Sequence, residues 1–221
     1  MPSEDKITIN NVGLFETLPQ SDLDVLNAHA KLNSYKKNSV IMTEGDESSS
    51  LYIVKNGRVK IYVSDADGKE LTLNVMQEGD YFGELSLLDG KPRSTSAIIQ
   101  EKTDLYVIQK ADFEKVLNDN PDIARNIISG LSDLLRRLTE KTRDIALYTV
   151  YERIAILLQR FATESDGKLQ IQPKLTHSEM ASMLGCRREM VSRIMSDLSK
   201  GGYIAIENNA ILLNRKLPAK W

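Results

Sequence analysis

The side chains best suited to chemistry stand between positions 187 and 196. Arg188, Glu189, Ser192, Arg193 and Ser196 fall on one face of a predicted helix. Arginine can grip the O6 and N7 atoms of guanine with two hydrogen bonds, and glutamate can accept one from the amino group of cytosine. These residue types at helical spacing predict direct reading of DNA bases by Arg188, Glu189, Ser192 and Arg193.

A helix-turn-helix running from Thr176 to Lys200 is predicted to position this face. Thr176 and Glu179 form a capping-box pattern that begins the first helix, and Gly185 permits the turn before the second helix, which starts at about Arg187. The buried stripe of the second helix is expected to comprise Val191, Ile194, Met195 and Leu198. The residues expected to meet DNA phosphates, which fix register without reading sequence, are Arg187, Thr176 and His177.

The chain beyond Lys200 predicts a small hairpin. Gly201 and Gly202 end the helix, and residues 203–206 and 210–213 flank the turn pair Asn208 and Asn209, as in a wing. The competing interpretation is a pair of amphipathic helices in some other α-rich domain. Agreement of the cap, the turn glycine, the buried stripe and the polar face favours the winged helix-turn-helix.

A second constellation lies at residues 82–95, FGELSLLDGKPRST. Gly83 frees the backbone for a close approach, and the amides of the turn that follows can form an anion nest. Arg93 offers a fork for phosphate oxygens, Ser94 a hydroxyl donor and Glu84 an acceptor for a ribose hydroxyl. These are the groups that a cyclic nucleotide needs. The expected ligand contacts in this segment are Gly83, Glu84, Leu85, Ser86, Arg93 and Ser94.

Short β-rich runs surround this segment between residues 39 and 109. Turn pairs such as Asn56-Gly57 and Asp67-Gly68 separate them, which predicts a sandwich or roll. A helical lead from Leu14 to Leu26 is expected before the roll, and Asp112 is expected to open a helix after it.

A long helix is predicted from about Asp122 to Tyr148. Its apolar positions alternate between spacings of three and four and form a heptad seam, comprising Ile128, Leu131, Leu135, Leu138, Thr142 and Ile145. Ile123, Ile127 and Leu134 form a second stripe that could pack on the β-domain. A helix buried within a monomer is the alternative, but strict heptad spacing exceeds what burial requires and favours a homodimer seam.

Charge is distributed unevenly along the 221 residues. The formal net charge is −2, yet residues 150–221 carry eleven Lys and Arg against seven Asp and Glu, and the remainder carries eighteen against twenty-four. A basic C-terminal region behind an acidic first region suits a protein whose DNA-binding part is separate from its sensor. We therefore predict an α+β protein with a jelly-roll-like sensor domain at residues 1–120, a central dimerisation helix at 121–148 and a winged helix-turn-helix domain at 149–221.

Composition also excludes several classes of function. A single cysteine, Cys186, allows neither an intrachain disulfide nor an iron–sulfur cluster. The sequence offers no nucleophile with a neighbouring base and no metal-ligand cluster, so no enzyme, metal or cofactor is expected. No apolar stretch is long enough for a membrane span or a signal peptide, which predicts a cytoplasmic protein with no membrane partner.

Residues 185–198, GCRREMVSRIMSDL, closely resemble the recognition segment of the cyclic AMP receptor protein and fumarate-nitrate regulator superfamily. Residues 82–95 likewise look like the phosphate-binding cassette of cyclic-nucleotide domains. The resemblance extends over nearly the whole chain and implies the same domain order. It also implies that Arg188, Glu189 and Arg193 read TGTGA-like half-sites of a palindrome in double-stranded DNA.

The resemblance extends to the effector. In members similar to the cyclic AMP receptor protein, a Thr-Ser pair on the central helix holds the adenine, and the matching residues here are Leu138 and Thr139. Thr139 retains a hydroxyl, whereas Leu138 has none and fits the heptad seam. Cyclic AMP is the first expectation, with cyclic di-GMP, another nucleotide or no ligand as alternatives.

A further partner is expected from the resemblance. RNA polymerase would contact a loop before the helix-turn-helix, here Thr163 to Lys174, which is shorter than in the best-known member. Activation and repression both stay open. A cyclic-nucleotide module that regulates a partner protein, as in kinase regulatory subunits, is the rival of another class.

Overall fold

The structure is a computed structural model that describes residues 12, 14–15, 18–47, 49–165 and 168–218. The chain divides into two compact units. Among the described residues, the first unit contains those up to Val63 together with Leu73–Arg136, and the second contains Ser64–Thr72 and those from Arg137 onward.

The described helices are α1 (Gln20–His29), α2 (Glu84–Asp89), α3 (Lys110–Asp119), α4 (Pro121–Leu147), α5 (Val150–Phe161), α6 (His177–Leu184) and α7 (Arg188–Lys200). The described strands are β1 (Lys31–Tyr35), β2 (Val40–Met42), β3 (Ser50–Asn56), β4 (Val59–Ser64), β5 (Glu70–Met76), β6 (Tyr81–Phe82), β7 (Ser96–Ile99), β8 (Thr103–Gln109), β9 (Thr163–Ser165), β10 (Lys168–Ile171), β11 (Ile204–Glu207) and β12 (Ala210–Leu213).

Two four-stranded sheets, ordered β1-β8-β3-β6 and β2-β7-β4-β5, form the β-roll. Successive side chains of a strand point to opposite faces. In β3, Ile53 therefore joins a core cluster with residues of α1, α3 and α4, whereas Val54 joins the cluster that includes Val59 and Ile61 of β4. The first sheet is covered on both faces. The predicted roll, long helix and C-terminal helix-turn-helix are confirmed.

The helical lead predicted from Leu14 to Leu26 is shorter than expected, because α1 begins only at Gln20. Pro19 precedes it with extended dihedral angles (φ −57°, ψ 149°). A proline disfavours helical geometry in the residue before it. The apolar residues upstream lie in a turn, and their side chains are buried from there. Leu14 and Phe15 are both buried in the first unit's core.

In the second unit, α5, α6 and α7 pack with the sheet β11-β12-β10-β9 around one core. The predicted loop from Thr163 to Lys174 is corrected here, because it contains β9 and β10. Leu169 pairs with Leu213 and Ile171 with Ile211 of β12, so a distant strand decides the conformation of this segment. Asp166 and Gly167, which belong to this segment, lie outside the described residues.

Among the residues that the structure describes, no helix combines the length and apolar character needed to cross a bilayer.

Candidate functional sites

Gly83 shapes the backbone of the first candidate site, which lies wholly in the first unit. It follows β6 with a φ of 87° and is the N-cap of α2. A Cβ atom built at this position would lie 2.5 Å from Nη1 of Arg93 and 3.2 Å from the carbonyl oxygen of Ser50. Both the left-handed backbone and the close approach therefore require glycine.

Arg93 is the centre of this site and is only 5% exposed. Its Nη1 donates to the carbonyl oxygen of Gly83 and its Nη2 to that of Ser50, each at 2.6 Å. The guanidinium carbon lies 5.7 Å from the ring centroid of Tyr52, and that ring stacks on Phe82. The fork expected to meet phosphate is thus held in place by main-chain acceptors and an aromatic face.

Glu84, the first residue of α2, is buried next to this guanidinium. Burial raises the pKa of its carboxyl group, and the charge of Arg93 partly opposes that rise. Ser86 is also buried, whereas Leu85 and Ser94 are exposed. The structure therefore brings Gly83, Glu84 and Arg93 into one polar site.

Sequence reasoning missed Ser50 and Tyr52 as parts of this site. They stand more than forty positions before Arg93, and no local motif links them to it. Only the pairing of strands and the fold of the cassette bring them together.

We expect Glu84→Gln to flatten the pH dependence of stability. The carboxyl group of Glu84 has a pKa above its ordinary 4.5 in the folded protein. Its protonated form therefore stabilises the fold, and this contribution is fully present below pH 4.5. It is lost as pH rises through the folded pKa. Thermal melts from pH 4.5 to neutral should decline less for Glu84→Gln than for wild type, and Glu84→Gln should melt higher at neutral pH.

The matched control for this change is Glu78→Gln, which neutralises an exposed carboxylate of the same unit. Its melting profile should follow that of the wild type. Parallel profiles for Glu84→Gln and wild type would show that the buried carboxyl does not titrate as argued.

Leu138 and Thr139, the remaining expected ligand contacts, lie on the part of α4 that belongs to the second unit. Leu138 is half-buried and Thr139 is exposed. Their part in a nucleotide site stays a prediction.

The helix α4 presents an apolar face along its predicted heptad seam. Ile128 and Leu135 are 62% and 66% exposed, and Ile145 is also exposed. Leu131 and Leu138 are half-buried, and Thr142 is exposed. Ile123 and Ile127, from the second stripe, are buried in the core of the first unit.

The second candidate site is the helix-turn-helix, and its first helix begins with the predicted capping box. The hydroxyl oxygen of Thr176 accepts from the backbone amide of Glu179 at 3.2 Å, and the Glu179 carboxylate accepts from the amide of Thr176 at 2.7 Å. Gly185 ends α6 with a φ of 63°. The capping box pairs backbone N–H groups at the start of α6, and the amide of Gly185 pairs a carbonyl oxygen at its end. Together they fix where the second helix starts.

Burial along α7 separates two faces as the sequence predicts. Val191, Ile194, Met195 and Leu198 are buried in the core of the second unit. The side chains expected to meet DNA are exposed, except that His177 is half-buried, and they comprise Thr176, Arg187, Arg188, Glu189, Ser192 and Arg193. Met190 is also exposed. Sequence reasoning did not name it, although its position outside the buried stripe indicated that it would be exposed.

Replacing Thr176 with alanine is expected to lower the free energy of unfolding by about 1 kcal/mol, because α6 loses its N-cap acceptor. Urea unfolding monitored by circular dichroism measures this change. The control is Ser199→Ala, at an exposed serine on α7 that caps no helix, and it should change the midpoint little. Equal midpoints for the two variants would contradict a stabilising cap.

Two family models match the chain. Residues 32–120 match the cyclic nucleotide-binding domain. Residues 152–217 match the Crp-like helix-turn-helix domain. The first match contains the cassette around Arg93, and the second contains α6 and α7.

Characterised relatives resemble the chain over most of its length. The global regulator Vfr of Pseudomonas aeruginosa, described as cAMP-activated, is 30% identical over 91% of this chain and 98% of its own. A CRP-like cAMP-activated global transcriptional regulator of Mycobacterium tuberculosis is 29% identical over 91% of this chain and 92% of its own. The c-di-GMP-responsive regulator CLP of Xanthomonas campestris shares the fold, with a TM-score of 0.78, 24% identity and coverage of 88% of this chain and 99% of its own.

Proposed function

Because the chain belongs to the CRP/FNR family of DNA-binding transcription regulators, with a cyclic nucleotide-binding domain, we propose that it acts as a homodimer. Its two recognition helices would read a TGTGA-like palindrome under the control of cyclic AMP. The observation that carries the proposal is the exposed polar face of α7 on a buried apolar stripe.

Base reading is assigned to Arg188, Glu189 and Arg193. All three side chains are exposed, and they fall on one face of α7. Arg187, at the N-cap of the same helix, is exposed where the chain enters it and is suited to a phosphate. Specificity and general affinity therefore belong to different residues.

Exchanging Glu189 for alanine should relax preference at one base pair of each half-site, at a cost of about 1–3 kcal/mol for the preferred base. Losing Arg187 should instead weaken all sequences alike and reduce the salt slope of binding by about one. Fluorescence anisotropy with an operator and its single-base variants, at several salt concentrations, measures both effects. Uniform weakening by both changes would contradict direct readout by Glu189.

Dimerisation is assigned to the exposed heptad face of α4. Isolated apolar side chains on a surface are ordinary, but a row of them at heptad spacing on a long helix fits a partner helix. Pairing two copies along this face presents two recognition helices, as the two halves of a palindrome require.

Cyclic AMP is the proposed effector. The Vfr protein and the Mycobacterium tuberculosis relative are both described as cAMP-activated. The Arg93 fork and the Glu84 acceptor supply groups that suit a phosphate and a ribose hydroxyl. Cyclic di-GMP remains the alternative ligand, because Leu138 offers no hydroxyl to adenine.

Calorimetric titration with cyclic AMP, cyclic GMP and cyclic di-GMP tests the effector. We expect heat of binding with cyclic AMP and a tighter complex with it than with the other two. A flat response to all three would end the sensor part of the proposal while leaving the DNA-reading part standing.

A mobility-shift assay separates this function from that of a module that regulates a partner protein. We expect retardation of a TGTGA-type palindrome, strengthened by cyclic AMP. No retardation with or without nucleotide would favour the partner-regulating module. RNA polymerase is the further partner proposed, and transcription assays on the bound promoter would show whether the protein activates or represses.

A further inference from the structure

The segment Ser64–Thr72, which we call the hairpin apex, runs from the last residue of β4 to the third residue of β5 and belongs to the second unit. Thr72 at its end is buried, and its hydroxyl oxygen lies 2.7 Å from that of Ser182 on α6. The carbonyl oxygen of Thr72 accepts a hydrogen bond from Nζ of Lys141 on α4. We call Thr72, Ser182 and Lys141 the clasp.

The clasp is partly buried, because Thr72 is buried while Ser182 and Lys141 are half-buried, and its hydrogen bonds are worth more than at a fully exposed surface. Burial lowers the pKa of Lys141. Next to the clasp, a Cβ atom built on Gly185 would lie 3.2 Å from Cδ1 of Leu71, so the apex also contacts the turn between α6 and α7. The apex is therefore attached by hydrogen bonds to α4 and α6.

Charged side chains of the apex and of the start of the recognition helix line the same cavity, of about 510 Å³. The charged residues that line it are Asp65, Asp67, Lys69 and Glu70 of the apex together with Arg187, Arg188 and Glu189. The carboxylate of Asp65 accepts from the backbone amides of Asp67 and Lys69 at 3.1 and 2.8 Å, which fixes the turn. Carboxylates of the apex thus share a cavity with two arginines that are assigned to DNA contacts.

Carboxylates at this place act on DNA in two ways. They compensate the positive charge of the arginines, and they repel an approaching phosphate within the Debye length of about 10 Å at 0.1 M salt. Their position depends on the clasp, because Thr72 fastens the end of the apex.

We propose that the hairpin apex is autoinhibitory. Held by the clasp, it competes with DNA at Arg187 and Arg188, and DNA binds after the apex is released. The proposal rests on the proposed DNA-binding function, whose failure the experiments below distinguish from its own.

A disulfide lock tests the clasp directly. The double change Thr72→Cys and Ser182→Cys, in a Cys186→Ser background, places two thiols where the hydroxyl oxygens now lie 2.7 Å apart. We expect the oxidised protein to bind the operator about tenfold more weakly than the same protein after dithiothreitol. The control is Cys186→Ser alone, which should bind equally in both conditions.

Two outcomes of the lock would overturn the proposal: equal affinity of the oxidised and reduced proteins, or failure of the disulfide to form. The reduced protein serves as the reference for DNA binding itself. If neither it nor the wild type binds any palindrome, the proposed function fails, and autoinhibition fails with it.

A charge experiment avoids new cysteines. Asp67→Asn with Glu70→Gln should raise the operator affinity of the nucleotide-free protein about threefold at low salt, and the gain should fade at high salt. The control, Glu78→Gln with Asp119→Asn, removes the same charge from exposed positions of the first unit. An equal gain from both pairs would reduce the effect to net charge and overturn the proposal.

Discussion

A Leu135→Asp variant is expected to sediment as a monomer and to bind a palindromic operator about 100-fold to 10,000-fold more weakly than the wild type. Leu135 is 66% exposed at the middle of the heptad face, so the change should leave the folded protomer intact. Two carboxylates introduced into a paired seam would be desolvated close together, which opposes dimerisation. A monomer then loses the avidity that comes from engaging two half-sites at once.

Analytical ultracentrifugation and mobility shift measure the two parts of this result. The control is Leu147→Asp, on the same helix and 72% exposed but outside the heptad positions. It should sediment like the wild type. A Leu135→Asp protein that remains dimeric would place the dimer interface elsewhere, and a monomer with full operator affinity would refute the paired-helix mechanism.

Replacement of Arg93 with methionine is expected to weaken cyclic AMP binding by about 100-fold or more. A guanidinium fork makes charge-assisted hydrogen bonds to phosphate, each worth about 1.5–3 kcal/mol, and methionine offers none. The change also leaves the carbonyl oxygens of Gly83 and Ser50 without their donor. The free energy of unfolding should therefore fall by about 1–3 kcal/mol for each acceptor left buried and unpaired.

Calorimetry measures the first effect and urea unfolding the second. The control is Arg58→Met, which removes an exposed arginine paired with Glu101 and should preserve both properties. If Arg93→Met does not fold, Ser94→Ala tests the same contact at an exposed position and should weaken cyclic AMP several-fold. Wild-type affinity in a folded Arg93→Met protein would mean that the phosphate is held by other groups.

The helix-turn-helix and the order of the elements could be predicted from sequence because their signals are local. A capping box, a turn glycine and a stripe at helical spacing each act within one or two turns of chain, and α6 and α7 begin and end where these signals place them. The apolar face of α4 was likewise predictable, since heptad spacing is a property of one helix, and its role as a dimer seam stays a prediction.

Tertiary structure alone decided the features that join distant parts of the chain. The acceptors of Arg93, the pairing of β10 with β12 and the contact of Thr72 with Ser182 each link residues far apart in sequence. A single sequence does not indicate which of these residues contact each other, because strand pairing and close packing form only when the whole unit folds. Sequence thus determined which side chains are the candidates for reading DNA and holding a nucleotide, and the fold decided what holds those side chains in place.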